Sequence, residues 1–185
     1  MISDILNETK ERMQASVQSL KDDLAAIRTG RASPALVERL SVEYYGQPTP
    51  LVQLASISIP EPRQIMIKPF DPASLKDIEK AIQTSDLGLT PSNDGKIIRL
   101  NLPQLTEERR RDLVKVVSAR VEEGRIAVRN IRRDAIKDMR EFEEEKMISE
   151  DDLKRGEDDV QKLHDEIIKE MDEIGENKEK EVMEV

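Results

Sequence analysis

The segment RIAVRNIRRDAIKDMR, residues 125–140, sets five arginines and one lysine among spaced apolar residues. A guanidinium group can bind phosphate through two parallel hydrogen bonds, and it tolerates partial loss of water better than an ammonium group does. On a helix that turns about 100° per residue, Arg125, Arg129 and Arg132 lie within about 60° of one another, and Arg111 has a similar bearing. We call Arg125, Arg129 and Arg132 the basic ridge. Such a ridge is suited to bind RNA or another polyanion.

The basic ridge has a second interpretation, in which its arginines pair with acids of a neighbouring helix. Residues 106–140 carry eleven basic and seven acidic side chains, whereas residues 141–185 carry seven and nineteen. Arginines beside an apolar seam can lay their stems on it and pair with such acids. Against this, Arg132 and Arg133 are adjacent and residues 109–111 are all arginine, so one seam cannot neutralise every charge. From the residues alone, RNA binding and intramolecular pairing both stay open.

Other candidates for chemistry are scarce, because the chain has no cysteine and one histidine. We expect that histidine, His164, to be solvated or at the edge of a core rather than catalytic. The stretch SNDGK, residues 92–96, is typical of a turn before a strand and not of a phosphate-binding loop. Adjacent acids such as Asp151 and Asp152 point about 100° apart on a helix, so such a pair does not converge on one ion. The sequence predicts no enzyme activity, no metal site and no cofactor.

Three long amphipathic helices would carry these side chains. Apolar residues recur three or four positions apart over residues 2–28, from Thr106 for about 40 residues, and again after Ser149. Thr106 and Ser149 are suitable N-caps, and the acids that follow each of them suit the helix dipole. Gly30 is a candidate for a left-handed residue that ends the first helix. With two Phe, two Tyr and no Trp, the predicted three-helix bundle must pack on aliphatic side chains.

Between the first two helices the periodicity changes to short alternating or β-branched runs that turn residues separate. One helix interrupts these runs, with Asp71 as its cap and Pro72 in its first turn. The sequence therefore predicts an α+β protein. In it a small α/β domain, residues 31–105, is inserted into a long three-helix bundle formed by residues 1–30 and 106–185.

Two linkers join the inserted domain to the bundle: TGRASP at residues 29–34 and LPQLT at residues 102–106. Each contains a glycine or proline that interrupts regular structure, and two parallel connections would allow bending but not free tumbling. This pattern predicts a hinge. In the alternative interpretation the domains pack rigidly, and the glycine and prolines only end the helices. The predicted hinge residues are Thr29, Gly30, Arg31 and Pro103.

The net charge of -9 does not exclude a nucleic-acid partner, because the basic and acidic residues are concentrated in different segments. The chain contains no run of about 18 apolar residues, and its start lacks the basic and then apolar pattern of a secretion signal. We expect a cytoplasmic monomer with no membrane partner.

Eight motifs follow one another along the chain: IRTGRASP, VEYYG, TPLVQLA, SDLGLTP, LTEERRRDL, VRNIRRDA, ISEDD and DDVQKL. In this order they resemble the ribosome recycling factor family from one end of the chain to the other. Two positions depart from the family pattern, Thr90 where asparagine is expected and His164 where threonine is expected. Neither lies in the basic ridge, so neither changes what the resemblance implies.

The resemblance implies an L-shaped protein with two domains, the long three-helix bundle and the small α/β domain, joined by a hinge. It also implies a factor that acts after termination, on a ribosome that still holds messenger RNA and deacylated transfer RNA. Such a factor lies along the large subunit and acts with elongation factor G and its GTP hydrolysis to separate the subunits. Because this chain shows no nucleotide-binding loop, the work would come from that partner.

The resemblance bears on the arginines as well. In the family the bundle contacts large-subunit ribosomal RNA through arginines that match Arg110, Arg129 and Arg132. Double-stranded RNA is recognised mostly through backbone and shape, which suits a rigid helix with guanidinium groups at fixed spacing. Two other classes are a helical scaffold, which would not need aligned arginines, and a metal-dependent enzyme, which would need converging acids. The predicted RNA-binding residues are Arg110, Arg125, Arg129, Arg132 and Arg133.

Overall fold

The structure is a computed structural model, and it describes residues 1–184. The chain forms two compact units. The first contains Met1–Leu24 and Val114–Lys180, and the second contains Ala25–Leu113 with residues 181–184. Helices make up the first unit and all described strands lie in the second, so the predicted α+β class, a long helical bundle with a small α/β part, is confirmed.

Five α-helices and six strands make up the described chain. In chain order the helices are α1 (Ile2–Ala25), α2 (Leu51–Leu54), α3 (Leu75–Thr84), α4 (Glu107–Glu144) and α5 (Glu150–Met183). The strands are β1 (Ser41–Tyr44), β2 (Gln47–Pro50), β3 (Ala55–Glu61), β4 (Gln64–Pro69), β5 (Pro91–Asn93) and β6 (Ile98–Asn101).

The two longest helices begin at the predicted caps. Thr106 Oγ1 accepts the Arg109 amide at 3.1 Å at the start of α4. At the start of α5, Ser149 Oγ accepts the Asp152 amide at 3.1 Å, and the Asp152 carboxylate accepts the Ser149 amide at 3.4 Å. The hydrogen bond from the Ser149 side chain is the largest cause of a lowered pKa at Asp152. These bonds satisfy amides that helical bonding leaves free.

Three helical glycines mark close approaches within the first unit. A Cβ at Gly175 would lie 2.6 Å from a methyl carbon of Val121, and a Cβ at Gly156 would lie 2.8 Å from the Met139 sulfur. Both distances are shorter than real Cβ contacts; the methionine side chain at Gly156 can shift, but the branched Val121 cannot, so α4 and α5 pack this closely at Gly175 only with glycine there. The buried apolar residues that the three helices contribute to the first unit are Met13, Val17, Leu20, Leu24, Val117, Val121, Val128, Ile131, Ala135, Met139, Val160, Ile167 and Met171.

The end of α1 corrects two expectations. The apolar pattern predicted a helix as far as residue 28, but α1 ends at Ala25. The described glycines with positive φ are Gly46, Gly88 and Gly95, so the prediction of a left-handed Gly30 is wrong. The physical reason is position: Gly30 lies well beyond the last turn of α1 and is not placed to cap it.

A four-stranded antiparallel sheet forms the centre of the second unit, in the order β3-β4-β6-β5. Its middle strands oppose aliphatic side chains, with Ile57 opposite Ile67 and Ile67 opposite Ile98. Cross-strand pairs of this type stabilise a sheet whose face is buried. The β1 and β2 strands form a separate antiparallel hairpin.

Turn and cap chemistry in the second unit agrees with the sequence. Asp71 accepts the Ala73 amide at 3.0 Å and so caps the short 3-10 turn that leads into α3. The predicted turn before β6 is present at residues 94–96, whereas Ser92 and Asn93 belong to β5: Gly95 has a φ of 90°, and the Asp94 carboxylate accepts the Lys96 amide at 3.0 Å. The backbone hydrogen bond from Ile97 is the largest cause of a lowered pKa at Asp94, and the bond from Lys96 is the next.

Candidate nucleic-acid interface

The basic ridge lies on the part of α4 that belongs to the first unit, and its side chains are only partly exposed. The Arg125 side chain is 31% exposed and the Arg129 side chain 42%. Val128 and Ile131, on the same stretch of helix, are buried in the core. The ridge arginines therefore border the packing seam, where their stems can cover apolar surface while the guanidinium groups reach polar partners.

Arg125 is bound by acids from two helices. Its Nε donates to Asp172 Oδ1 on α5 at 2.9 Å, and its Nη1 donates to Glu122 Oε2 on α4 at 3.0 Å. These charge-assisted bonds raise the pKa of Arg125, and the bond to Asp172 is the largest cause. The charge of Arg125 is thus compensated within the bundle, which supports the intramolecular interpretation at this position.

Arg129 shares one of those acids. Its Nη1 donates to Glu122 Oε1 at 3.1 Å, and the Glu122 side chain is 47% exposed. Hydrogen bonds from Arg125, and then from Arg129, lower the pKa of Glu122. One carboxylate therefore faces two guanidinium groups, and exposed pairs of this kind contribute little to stability. Arg129 could exchange Glu122 for a phosphate at a low cost.

Arg132 has a neutral partner instead of an acid. Its Nη1 donates to the side-chain amide oxygen of Gln161 at 2.8 Å, and the Gln161 amide nitrogen donates to Asp165 at 2.9 Å. The Arg132 Nε is buried and has no partner among residues 1–184. Within that range no carboxylate pairs with Arg132. Its guanidinium group is held in place by a neutral amide, and without direct contact its charge contributes to the lowered pKa of Asp165 beyond that amide.

Arg133 is exposed and makes no ion pair with any described residue. It borders a shallow groove of about 510 Å³ along α4. Two other cations of this groove have acidic partners, since Arg140 donates to Glu157 at 2.8 Å and Lys137 lies 3.9 Å from a glutamate. Arg132 and Arg133 are therefore its uncompensated charges. The groove is lined by Arg132, Arg133, Ile136, Lys137, Arg140, Glu141 and Glu144.

Arg110 belongs to the second unit, on the first turn of α4. Its side chain is half-buried, and its Nε is buried with no partner in the described part of the chain. No carboxylate of residues 1–184 pairs with it. Like Arg132, it combines a partly desolvated guanidinium group with an uncompensated charge, which suits an anionic ligand.

The predicted hinge residues also lie in the second unit. Thr29 Oγ1 accepts the Arg31 amide at 3.3 Å, which forms a local turn. A Cβ at Gly30 would meet only an ordinary van der Waals contact, so packing does not require glycine there. Arg28, just before the first linker, was not among the predicted site residues; its guanidinium group donates to the Pro103 carbonyl of the second linker. No local pattern could have revealed a partner 75 residues away.

His164 lies at the edge of the first unit's core, one of the two environments predicted for it. Its side chain is 13% exposed, and its Nδ1 lies 2.9 Å from Asp165 Oδ1. Its Nε2 is buried without a partner in residues 1–184. The contact with His164 is the largest cause of a lowered pKa at Asp165. His164 therefore contacts Asp165, which accepts a hydrogen bond from Gln161, the residue whose amide oxygen holds Arg132.

Among residues 1–184, no three His, Cys, Asp or Glu side chains are grouped so that they could hold a metal ion. No described helix is both long enough and apolar enough to cross a membrane.

Comparison with known proteins identifies the family. The family model described as ribosome recycling factor matches residues 20–183. The chain belongs to the ribosome recycling factor family. A member of that family, the ribosome-recycling factor of Syntrophomonas wolfei subsp. wolfei, is 57% identical over 185 residues, which cover 100% of both chains. Those of Roseiflexus sp. strain RS-1 and Chloroflexus aggregans are 55% and 57% identical, again over 100% of both chains.

Two solved structures of the family have similar folds. A solution structure of ribosome recycling factor has a TM-score of 0.76 and 46% identity, and the alignment covers 100% of this chain and 98% of that one. The second comprises models for the T. thermophilus ribosome recycling factor and the E. coli elongation factor G bound to the E. coli post-termination complex. It has a TM-score of 0.67 and 47% identity, with 100% of both chains covered. The resemblance inferred from the eight motifs is thus confirmed.

Proposed function

We propose that this chain binds the post-termination ribosome and, with elongation factor G and GTP, separates the subunits and releases them from messenger RNA for a new round of initiation. Family membership supports the ribosome as target, and the relative seen with elongation factor G supports the partner. One observation on this chain carries the proposal: the Arg132 guanidinium group is held by a neutral amide, next to Arg133, which pairs with no acid of residues 1–184.

Large-subunit ribosomal RNA is the proposed ligand of α4. Phosphates of an RNA helix recur at regular intervals and require a rigid surface with cations at fixed positions, which a long helix provides. Within residues 1–184, a phosphate would replace no acidic partner at Arg110, Arg132 or Arg133, and it would replace only an exposed glutamate at Arg129. Arg125 contributes positive potential, although its own guanidinium group is engaged with two acids. The acids of α5 would limit indiscriminate RNA binding.

The domain organisation completes the proposal. Residues 1–30 and 106–185 would act as the RNA-contacting bundle, and residues 31–105 as the inserted domain on which elongation factor G acts. Thr29, Gly30, Arg31 and Pro103 would form the hinge, while the bundle transmits the displacement as a rigid body. The chain itself would neither bind nor hydrolyse GTP, and it would act as a cytoplasmic monomer without a cofactor.

A subunit-splitting assay tests the function. Post-termination ribosomes are mixed with the protein, elongation factor G and GTP, and the separated subunits are measured by sedimentation. We expect splitting only when all three are present. Binding to ribosomes that does not respond to salt, with no splitting, would instead identify a scaffold protein. Magnesium or manganese binding by the protein alone, seen in calorimetry, would favour a metal-dependent enzyme.

A crosslink tests the hinge. A disulfide or thiol crosslinker that joins cysteines placed at positions 29 and 103 should leave ribosome binding intact and abolish splitting, because the linkers could no longer bend. The reduced form of the same double variant is the matched control. Full splitting by the crosslinked protein would remove the hinge from the mechanism.

A further inference from the structure

Aromatic side chains are scarce in this chain, and three of the four belong to the second unit. The sequence contains two Phe, two Tyr and no Trp, and the fourth aromatic residue is Phe142 on α4. Tyr45 is 80% exposed and Phe70 is 68% exposed. The buried residues that form the core of the same unit are all aliphatic. Aromatic rings are thus presented to solvent by a unit that packs its core without them.

Contacts and chain adjacency bring Tyr44, Tyr45 and Phe70 together. The rings of Tyr44 and Tyr45 meet edge to face, with their centroids 4.5 Å apart and their planes at 74°. The Tyr44 hydroxyl donates to Asp71 Oδ2 at 3.2 Å, and Asp71 directly follows Phe70. The Phe70 amide donates to the Leu54 carbonyl at 2.9 Å, which fixes the backbone at this point. We call Tyr44, Tyr45 and Phe70 the aromatic surface.

Tyr45 has a backbone conformation that favours smaller residues. Tyr45 and Gly46 have φ values of 49° and 77°, and they form the two-residue turn between β1 and β2. Asparagine followed by glycine is the pair that such turns favour, because a bulky residue is strained at positive φ. The tyrosine ring is therefore held on the surface at some cost in stability. Strained backbone and exposed aromatic rings are both typical of binding sites.

The charges near the aromatic surface favour a protein partner over RNA. Residues 41–54 carry one charged side chain, Glu43, which is exposed and pairs with no cation of residues 1–184. The nearest cations along the chain, Arg39 and Lys68, are balanced in number by Glu43 and Asp71. Proteins that stack RNA bases on aromatic rings combine the rings with a positively charged groove. A surface without excess positive charge instead suits an apolar cleft of a protein, with basic side chains at its border to match Glu43.

We propose that Tyr45 and Phe70 insert into an apolar cleft, bordered by basic side chains, on elongation factor G. The inference rests on the proposed function, in which elongation factor G acts on residues 31–105. Ribosomal RNA is the partner proposed for the arginines of α4, and the aromatic surface matches the protein partner instead. The inference adds to that function the side chains that make the contact and the chemistry of the surface that receives them.

The aromatic surface has the size and the rigidity that a docking site requires. Its two exposed rings present on the order of 300 Å² of accessible area, which is in the range of functional patches on monomers. Tyr44 packs against the core of the second unit and restricts Tyr45 through the ring contact. Because Tyr45 is restricted before binding, little side-chain entropy would be lost on docking. Tyrosine is also among the residues that contribute most to protein interfaces when they are buried there.

Subunit splitting at different concentrations of elongation factor G tests the proposal. Tyr45→Asn removes the ring and gives the turn its favoured pair of residues, so the melting temperature should be equal or higher. We expect the concentration of elongation factor G that gives half-maximal splitting to rise about tenfold. Tyr45→Phe is the matched control, because it keeps both the ring and the strained backbone. Its half-maximal concentration should stay within about twofold of that of the unchanged protein.

Two further variants test the remaining parts of the contact. Phe70→Gln removes the second exposed ring and should raise the half-maximal concentration of elongation factor G severalfold. Glu43→Lys should also raise it severalfold, because the new cation would be repelled by the basic border of the cleft. An unchanged value for Glu43→Lys would overturn the basic border. An unchanged value for Tyr45→Asn would overturn the docking site as a whole.

The outcomes separate this inference from the proposed function. If the unchanged protein splits no ribosomes, the proposed function itself is wrong. If it splits them, and Tyr45→Asn requires no more elongation factor G than Tyr45→Phe does, only the docking site is overturned. Ribosome affinity of Tyr45→Asn in the absence of elongation factor G should change less than about twofold. A loss of about tenfold there would show that the aromatic surface faces the ribosome and would overturn the assignment to elongation factor G.

A photo-crosslink identifies the occupant directly. Replacement of Tyr45 by the photoreactive residue p-benzoylphenylalanine keeps an aromatic ring at the tip of the turn, and irradiation joins that ring to whatever lies against it. In a mixture of post-termination ribosomes, elongation factor G and a GTP analogue that resists hydrolysis, we expect a crosslink to elongation factor G. A crosslink to a ribosomal protein or to ribosomal RNA in its place would overturn the proposal.

Discussion

Two arginines on α4, two turns apart, have opposite kinds of partner. Arg125 lies between two carboxylates, with Asp172 at 2.9 Å and Glu122 at 3.0 Å. Arg132 donates to the amide oxygen of Gln161 at 2.8 Å, and no carboxylate of residues 1–184 pairs with it. A row of arginines at helical spacing is therefore not one functional unit. Arg125 pairs with acids of the bundle, whereas Arg132 contacts no described acid and can bind an anionic ligand.

The difference originates on α5, the helix that faces the ridge. Position 172 supplies an aspartate and position 161 a glutamine, so α5 adds an acid beside Arg125, which Glu122 of α4 also binds, and a neutral amide beside Arg132. The two interpretations that the sequence left open thus each have structural support, at different positions. An acidic helix can neutralise part of a basic surface and leave the rest available to a ligand.

The largest expected effect comes from the uncompensated end. Arg132→Ala should weaken ribosome binding by about 1–3 kcal/mol, because charge-assisted bonds to phosphate would be lost. The slope of log affinity against log salt should fall by about 0.7 to 0.9, as expected for one phosphate contact. The melting temperature should stay nearly unchanged. A lower melting temperature with an unchanged salt slope would show that Arg132, like Arg125, stabilises the bundle and does not bind RNA.

Replacing the neutral partner of Arg132 by an acid should make Arg132 behave like Arg125. Gln161→Glu gives Arg132 a carboxylate in place of an amide, so a phosphate would then have to displace an ion pair. We expect ribosome affinity to fall by about 1 kcal/mol, with stability equal or slightly lower, because the new carboxylate loses the Gln161 bond to Asp165 and is repelled by that acid. Gln161→Ala is the control that removes the contact without adding charge. Equal affinity for Gln161→Glu and the unchanged protein would show that α5 does not govern this arginine.

The compensated end should respond in stability instead of binding. Arg125→Ala leaves Asp172 and Glu122 without their guanidinium partner, and partial exposure of the group limits the loss to about 0.5–1 kcal/mol. For a chain of this size that corresponds to a fall of roughly 1–4 °C in melting temperature. Ribosome affinity should change less than about twofold. Asp172→Asn is the matched variant on α5, and an affinity loss in both would contradict the assignment of Arg125 to the bundle.

The pH dependence of stability in Arg125→Ala tests the pairing of Arg125 with Glu122 independently. Arg125 is the largest cause of the lowered pKa of Glu122, so in Arg125→Ala that pKa should rise toward 4.5, as a carboxyl-carbon NMR titration would show. A lowered folded pKa means that the stability contribution is present above 4.5 and is lost as pH falls through the lower, folded value. The variant should therefore lose less stability in acid than the unchanged protein does.

How far the sequence could predict this arrangement depends on the distance between partners. Local rules were sufficient for the caps at Thr106 and Ser149 and for the turn at Gly95, because each depends on residues within a few positions. The pairing of Arg125 with Asp172 spans 47 residues and depends on how two helices are aligned, which periodicity does not give. Periodicity predicts faces, and packing at contacts such as those of Gly175 decides the alignment.

The smallest expected effect is that of His164→Thr, which restores the residue expected from the family pattern. His164 contacts the polar group around Arg132, since its Nδ1 lies 2.9 Å from Asp165 and 3.4 Å from the Gln161 amide nitrogen. Without the imidazole, Gln161 still donates to Asp165 at 2.9 Å and still accepts from Arg132. Because the loss of the contact with His164 should only raise the pKa of Asp165, we expect ribosome affinity and splitting to stay within about twofold.

The test compares His164→Thr with Gln161→Ala in the same binding and splitting assays. A loss of ribosome affinity as large as that of Arg132→Ala, at an unchanged melting temperature, would show that His164 takes part in ribosome binding together with Arg132.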